Sequence, residues 1–336
     1  MNYELFVGID ISKSTIDVAV VTQACFDKPL HHVFKNSYDG FGLMLEWLSI
    51  HGIALKKVLF CCEHTGIYIC PITNFMHAND LSIWVENGLH IKRSIGLKRG
   101  KSDKADAQAI ASYAFSNQHK ARPYLLPSAT SSKLKHLLAH REQLVRHQTS
   151  FKCTCSALKG FDRENAGYCI ADSQEMLALY AERIKKVDIE LAALITEDQE
   201  LNEQFSLVQS VHGIGKQTAM FILIHTEAFA AFSDYRKFAS YCGIVPFPHS
   251  SGTSIRGRNR VSNLANKKLK ALLTMCALNT IKKDNEFKRY YDRKKAEGKN
   301  AMCVLNVIKN KLLSRAFAAV KRGTPYLLEP GCINLK

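Results

Sequence analysis

The strongest constraint on this chain is the pattern of apolar runs at its start. LFVGID is an apolar run of strand length, ISKST is a polar turn and IDVAVV is a second run, so residues 5–20 are expected to form two strands. HHVFKNS predicts a third, short edge strand. Helical apolar spacing over 41–50, a buried strand in KKVLFCCEH, helical spacing over 67–77 and a strand in LSIWVENG follow in turn. A hairpin followed by strands that alternate with helices specifies a mixed sheet covered by helices.

The ribonuclease H architecture is ordered in this way, so residues 1–125 are expected to form an α/β, RNase H-like unit. Near its end a basic stretch, Lys92, Arg93, Lys98, Arg99, Lys101 and Lys104, contains Gly96 and Gly100. It reads as a loop feeding a helix that begins near Ser102 or Asp103. Pro123 and Pro127 then punctuate the chain and mark a boundary.

Residues 126–205 read as a helical coiled-coil hairpin. Leu177, Tyr180, Ile184, Val187, Leu191 and Leu194 alternate spacings of three and four, an a/d heptad pattern. Leu134, Leu137, Leu144, Phe151, Cys155 and Leu158 fit a similar register, interrupted by Arg141 and Gln148. A polar loop over 162–167 would join two antiparallel helices. Their seam is either internal or a dimer contact, and the pattern fits both.

Charge separates the remainder from what precedes it. The formal net charge is +16, and residues 1–205 carry 23 basic and 23 acidic side chains. Residues 206–336 carry 23 basic and 7 acidic, so the whole excess lies there. A basic excess confined to one part is the electrostatic footprint of a nucleic-acid-binding unit. Within it, LVQSVHGIGKQTAMFILIHT has the form of a helix-hairpin-helix, in a mainly α C-terminal domain. Gly213 and Gly215 would permit positive φ, and with Lys216 they would place amides of the following helix against a DNA phosphate. A tight helix–helix turn with no DNA role is the competing reading. Two further helices, basic on one side, are expected over 264–282 and 301–321.

Other classes are excluded by composition. Hydrophobic residues make up 46% and mean hydropathy is −0.12, as in a globular protein with a real core. No apolar run reaches the length of a membrane span, and the start runs straight into a strand, leaving no room for a signal peptide. A cytoplasmic protein without a membrane partner is expected. The 11 cysteines include no C-x-x-C, and the spacings of Cys61 with Cys62 and of Cys153 with Cys155 suit no zinc knuckle. Buried small hydrophobes are the simpler reading.

Four acidic residues stand where a metal site can form. Asp10 ends the first strand, Glu63 ends a neighbouring one, and Asp103 and Asp106 are three apart at a helix start, so they share a face. Carboxylates converging on one point repel unless cations neutralise them, and oxygen-rich sites of this kind suit Mg²⁺ or Mn²⁺. Two such ions, roughly 4 Å apart, serve phosphoryl transfer by activating one oxygen and stabilising another. Singly each residue has an ordinary reading: Asp10 as a turn cap, Asp103 as a helix N-cap, Glu63 as a satisfied polar group. The strand-end Asp after Gly-Ile also occurs in sugar-kinase-like ATPases.

GIDISKSTIDVAVV, CCEHTGIY and KSDKADAQAIA resemble the three acidic motifs of the DEDD transposases, the IS-one-ten insertion-sequence family and the related Piv site-specific invertases. VHGIGKQTA, FASYCGIVPFPHSSGTSIRGRNRVS and NKKLKALLTMCAL resemble that family's C-terminal transposase domain. The similarity covers nearly the whole chain in order and spacing. It implies a RuvC-like N-terminal domain with Asp10, Glu63, Asp103 and Asp106 as a metal-binding tetrad. It also implies a covalent serine nucleophile, Ser251 by alignment of the S-G-x-S-x-R-G segment, with Ser254 second and Ser250 close by. Double-stranded DNA, a structured guide RNA encoded by the element, and dimers that assemble into tetramers with shared active sites are implied too.

The chemistry of the serine loop agrees with that reading. A serine hydroxyl needs a base or a metal to become a nucleophile, and only His249 lies near Ser251 in sequence. Arg256, Arg258 and Arg260 follow and would clamp phosphates. A disordered polar linker is the plain alternative for S-S-G-T-S. The expected activity is cleavage and rejoining of DNA through a phosphoserine. The rivals are a RuvC-like nuclease that hydrolyses DNA without a covalent intermediate, a Piv-type invertase, an ATP-using kinase of actin-like fold, and a non-catalytic nucleic-acid-binding protein.

Overall fold

The computed structural model describes residues 3–22, 29–94, 96, 102–252 and 254–327. It divides into two compact units, Met1–Pro127 and Ser128–Lys336. In the first, β1 (Leu5–Ile11), β2 (Thr15–Thr22) and β3 (Leu30–Lys35) form an antiparallel meander. β4 (Val58–Glu63) and β5 (Ile83–Glu86) add in parallel on the other side of β1, giving the order β3-β2-β1-β4-β5. β1 and β4 are apolar on both faces, as strands covered from both sides must be.

Helices α1 (Tyr38–Ile50) and α2 (Cys70–Ala78) close one face through Phe41, Met44, Leu48, Ile72 and Met76. The other face is covered by α3 (Gly88–Ser94) and α4 (Asp103–Ser116), with Trp84, Ile91, Ile110 and Tyr113 in one cluster. The expected mixed α/β sheet is therefore present. Two details differ from the sequence reading. Lys92 and Arg93 end a short helix rather than opening a loop, because the Asn87 carboxamide accepts from the Leu89 amide and Ile91 is buried. Asp10 is the penultimate residue of β1, since the hairpin pairing continues to Ile11 opposite Ile16. Residues 97–101, with Lys98, Arg99, Gly100 and Lys101, lie outside the described residues.

One substitution-sensitive point sets the packing of α4. A Cβ on Gly8 would lie 2.2 Å from the Ala111 amide and 2.3 Å from the Ala107 carbonyl. Glycine there, against a helix face of Ala107, Ala111 and Ala114, lets the α4 backbone rest directly on β1.

The second unit begins with α5 (Ala129–Phe161) and α6 (Gly167–Glu197), the expected antiparallel hairpin. Leu134 and Leu191 are buried, and the two interruptions make cross-helix bonds. Arg141 pairs with Asp188 through two nitrogens at 2.5 and 3.2 Å, and Gln148 donates to the Leu177 carbonyl at 3.4 Å. α7 (Gln199–Gln209) and α8 (Lys216–His225) follow. Residues 218–224 of α8 are buried on every side, packed by α7, α10 (Lys267–Thr280) and α5, while α12 (Ala301–Arg322) closes the same core against α7 and α10.

Three elements here were not anticipated: α9 (Tyr235–Tyr241), α11 (Glu286–Ala296), and a two-stranded hairpin of β6 (Pro246–Ser251) and β7 (Ile255–Val261). α11 is mostly charged, and its few apolar side chains, Phe287, Tyr290 and Tyr291, share one face against the core. It is fixed by the Asn285 cap, by buried Phe287 and by a Glu286–Arg315 ion pair. Between α8 and α9, Glu227, Ala228 and Phe229 all have φ between 50° and 67°. Left-handed backbone costs a non-glycine residue about 1–2 kcal/mol. The turn is held by buried Thr226, whose hydroxyl accepts from the Phe229 amide at 3.2 Å, and by the Ala231 amide on the Thr226 carbonyl at 3.0 Å. No described helix is long and apolar enough to cross a membrane.

Candidate active site

Three of the four sequence-predicted carboxylates converge in the first unit. One oxygen from each of Asp10, Asp103 and Asp106 lies within 4.8 Å of the others. Asp10 is brought there by β1. Asp103 and Asp106 occupy the first turn of α4, which Ser102 caps by accepting from the Ala105 amide at 3.2 Å. The positive end of the helix dipole favours carboxylates at that position. The close seat of α4 on Gly8 is what turns a sequence separation of about a hundred residues into a shared site.

The electrostatics follow from this crowding. Burial pushes the Asp10 carboxyl up to about 6, and Asp106, Asp103, Asp17 and Glu63 add to the rise in that order. A hard divalent cation reverses that penalty, and the donor set, all carboxylate oxygens, fits Mg²⁺ or Mn²⁺ rather than a softer ion. Asp17, opposite Asp10 on β2, is a fifth acid overlooked in the sequence. It accepts from His31 Nε2 at 2.8 Å, which engages it outside the trio.

Glu63 ends β4, one strand over, but it does not join this group of three. Its carboxyl lies over Gly88, where a Cβ would come within 1.8 Å of Glu63 Oε1. It lines a cleft of about 450 Å³ with His64, Asn87 and Lys92. Its register partner Glu86 accepts from the Asn87 amide at 2.7 Å and from the Tyr113 hydroxyl at 3.1 Å, and it meets His90 Nδ1 at 3.0 Å. Burial, then the Glu86 bond, pushes the Tyr113 phenol up to about 12. Tyr113 thus ties α4 to the end of β5. Nothing in the spacing of the sequence marked Gly8, Gly88 or Glu86. A glycine inside the first strand was the one available signal.

The cysteines of β4 are structural: Cys61 and Cys62 are buried, and burial pushes the Cys62 thiol up to about 12. The expectation of buried cysteines holds only in part, because Cys70, Cys153, Cys169 and Cys303 are exposed. These four lie on outward helix faces.

In the second unit, Ser251 is the last residue of β6, opposite Ile255, and Ser250 stands opposite Arg256. Gly252, at φ +55°, makes the turn, so the segment is an ordered hairpin rather than a polar linker. Ser254 lies in that turn, while the side chains of Ser251 and Arg256 lie outside the described residues. Arg258 and Arg260 are exposed on β7, and the His249 ring packs over Gly257. The hairpin's base is anchored: Asn310 donates to the Ile244 carbonyl at 3.0 Å, and the Asn266 amide donates to the Tyr241 carbonyl at 2.9 Å.

The Gly-Ile-Gly turn joins α7 to α8. Gly213 has φ +96°, and a Cβ there would meet Thr280 Oγ1 at 1.9 Å. Gly215 differs from the expectation: it is the α8 N-cap at φ −84°, an extended conformation open to any residue. Only one of the two glycines therefore needs left-handed backbone, since a single reversal suffices to start α8. Lys216 is exposed at the first position of that helix.

Comparison with known proteins falls on these same two regions. A DEDD transposase profile of the IS110 group matches residues 7–158, and one described as Transposase IS116/IS110/IS902 family matches residues 205–292. The chain carries the two domains of the IS110-family transposases. The first match spans all four carboxylates and the second spans the glycine turn and the serine hairpin. Such a domain carries the RNase H-like fold seen in the sheet order. The pilin gene-inverting protein of Moraxella lacunata is 26% identical over 332 residues, 96% of this chain and 97% of that protein. That of Moraxella bovis is likewise 26% identical over the same shares. The transposase for insertion sequence element IS1111A of Coxiella burnetii is 27% identical over 66% of this chain and 67% of its own length. IS110-family transposases and invertases are DNA-cleaving recombinases, and this chain is an enzyme of that class.

Proposed function

We propose that this recombinase cleaves and rejoins DNA through a phosphoserine formed on Ser251, with a divalent cation held by Asp10, Asp103 and Asp106 and with Glu63 turning in from the end of the neighbouring strand to complete the set when the cation binds. The observation that carries the metal half is the convergence of three aspartates within 4.8 Å on the segment matched by the DEDD profile. A bound Mg²⁺ or Mn²⁺ supplies charge neutralisation and activation of an oxygen at a phosphodiester. Ser251 Oγ attacks phosphorus, the P–O3′ bond breaks, and the serine proton passes to the freed 3′ oxygen. The 3′-hydroxyl of the exchanged strand then attacks the serine link, so phosphodiester energy is conserved and no nucleotide is consumed.

Arg256, Arg258 and Arg260 hold the phosphates beside the nucleophile. Gly213, Gly215 and Lys216 act as a helix-hairpin-helix, with the exposed start of α8 on DNA backbone. In this reading the working segments are 1–125 for the metal, 126–205 for dimerisation and 206–336 for DNA and the serine. A guide RNA encoded beside the gene selects the DNA, and homodimers pair into tetramers.

One observation favours inversion as the reaction's outcome over transposition. The similarity to the pilin gene-inverting proteins runs end to end, whereas that to the IS1111A transposase covers 66% of the chain. The test is a search for a protein–DNA adduct. The protein is expressed with its native flanking DNA, and a nucleotide-modified peptide spanning 247–258 is sought beside Ser251→Ala and Asp10→Asn. An adduct lost in both variants supports the proposal. Cleaved DNA without an adduct replaces it with the hydrolytic nuclease. An inverted segment rather than an excised or inserted one decides for the invertase.

A further inference from the structure

The left-handed turn at 227–229 lies beside a cavity of about 610 Å³ in the second unit. Phe229, Phe232 and Tyr235 from the α8–α9 segment and Phe317 from α12 give it aromatic walls. Ala318 leaves one side open, and Lys321 stands beside it. The rings are braced from behind: Phe229 meets Phe317 edge-on at 4.9 Å between centroids, and Phe232 meets Phe238 at 5.2 Å. Asp234 caps α9 by accepting from the Arg236 amide at 2.9 Å, and Ser314 adds a hydroxyl.

Aromatic side chains grouped at a solvent-open groove are surface available for a ligand. The concavity opens to solvent, and it leaves Phe229, Phe232 and Tyr235 only half-buried beside a turn of three non-glycine residues in left-handed backbone. An aromatic slot recognises a flat π face. The Arg236 guanidinium lies 5.7 Å from the Tyr235 ring centroid, and exposed Lys321 makes no ion pair with an acidic group among the described residues. The surrounding segment carries the whole +16 charge excess. A planar group joined to a polyanion satisfies all of this. The bases of a duplex do not, because their faces are already stacked.

We propose that this pocket takes an unpaired nucleobase of a single-stranded nucleic acid between Phe229, Phe232 and Tyr235, with Lys321 and Arg236 on the flanking phosphates. The proposal rests on the reading of the basic unit as nucleic-acid-binding, and adds to it a site separate from the serine hairpin and from the α8 N-terminus. Its polar fringe, Asp234 and Ser314, is suited to accept from a base amino group.

The test uses the full chain and a short unstructured RNA carrying 5-iodouridine, beside a duplex DNA of the same length. Ala318→Trp fills the pocket from an exposed helix position without touching the core, and Lys321→Gln removes the cation. Photocrosslinks are expected on peptides containing 229–235 or 314–321. Ala318→Trp is expected to weaken RNA binding about 10-fold, the effect of losing one stacked base, with duplex binding and melting temperature unchanged. Unchanged RNA affinity in Ala318→Trp, or crosslinks confined to 246–261, overturns the pocket and leaves the recombinase reading standing. So does a change in oligomeric state in Ala318→Trp, which identifies a second copy as the occupant. Failure of the wild-type chain to bind either RNA or duplex removes the nucleic-acid reading itself.

Discussion

In the N-terminal unit three carboxylates are pressed within 4.8 Å of one another, whereas in the C-terminal unit Lys216, Arg258, Arg260 and Lys321 stand apart on exposed positions. Convergence of like charge demands rigid support: the end of a central strand, a capped helix and a glycine that lets the two backbones touch. Dispersed positive charge demands only exposure, so its elements can be short and polar, as β7 and α11 are. Among its described residues the C-terminal unit buries Glu286, paired with Arg315, and Lys309, whose ammonium has a 3.3 Å contact with the Thr274 hydroxyl and is pushed down to about 8 by burial and then by Lys270. An enclosed charge such as Lys309 serves packing, whereas acids that crowd together at a half-exposed strand end and helix start form a site that a cation can reach.

The largest effect expected from this contrast is on Asp10. Asp10→Asn should cut DNA cleavage by 10²–10³-fold or more, on the order of losing a principal electrostatic group, while gel-shift affinity for DNA stays unchanged. Equal loss of binding and cleavage would show that the carboxylates serve the fold. Gly8→Val comes next. Forcing Cβ into the Ala111 amide should cost roughly 3 kcal/mol or more by denaturant melting and separate α4 from Asp10.

Gly213→Ala combines positive φ with a clash at Thr280 and should cost about 1–3 kcal/mol in the C-terminal unit alone. If hydrogen exchange loosened the N-terminal sheet equally, the units would not be energetically separate.

A fourth prediction concerns pH. The folded Asp10 carboxyl, at about 6, holds its proton more tightly than the unfolded one, at 3.8. The metal-free chain therefore loses stability as pH rises from about 4 through about 6. Mg²⁺ competes with that proton, so it should raise Tm at pH 8 and hardly at pH 5. An identical shift at both values would remove the cation from the trio.

The smallest effect sharpens the other side. Folded Lys309, at about 8, releases its proton before the unfolded side chain does, so stability should climb between about pH 8 and 10.5. Lys309→Met should raise Tm at pH 7 by roughly 2–4 °C and abolish that climb, with cleavage unaffected. A drop in Tm would mean that the ammonium is a structural partner of α10.

The sheet, the hairpin of long helices and the positions of Asp10, Asp103 and Asp106 were legible because each rests on local pattern. Strand runs, heptad spacing, a Ser102 cap and a three-residue carboxylate spacing are all written within a few residues. Residues 246–261 were not legible as strands, because S-S-G-T-S is linker composition and the hairpin is decided by anchors in distant helices, Asn266 and Asn310. α11 was missed for a related reason: its apolar face is only three aromatics, Phe287, Tyr290 and Tyr291, within little more than one turn of an otherwise charged segment. Glu63 was read correctly as a strand end, but its seat over Gly88 depends on where β5 delivers the chain.

The sequence by itself determined the family, the RNase H-like order of strands, the charge division at residue 205 and which acids sit at strand and helix ends. Local propensity and binary pattern suffice for those. Only the tertiary structure decided that three of the four carboxylates meet while Glu63 stands aside, that Gly8 and not the acids governs their approach, and that an aromatic pocket opens beneath a left-handed turn. Those outcomes depend on close backbone contacts between segments far apart in the chain, where sterics rather than residue type set the distances.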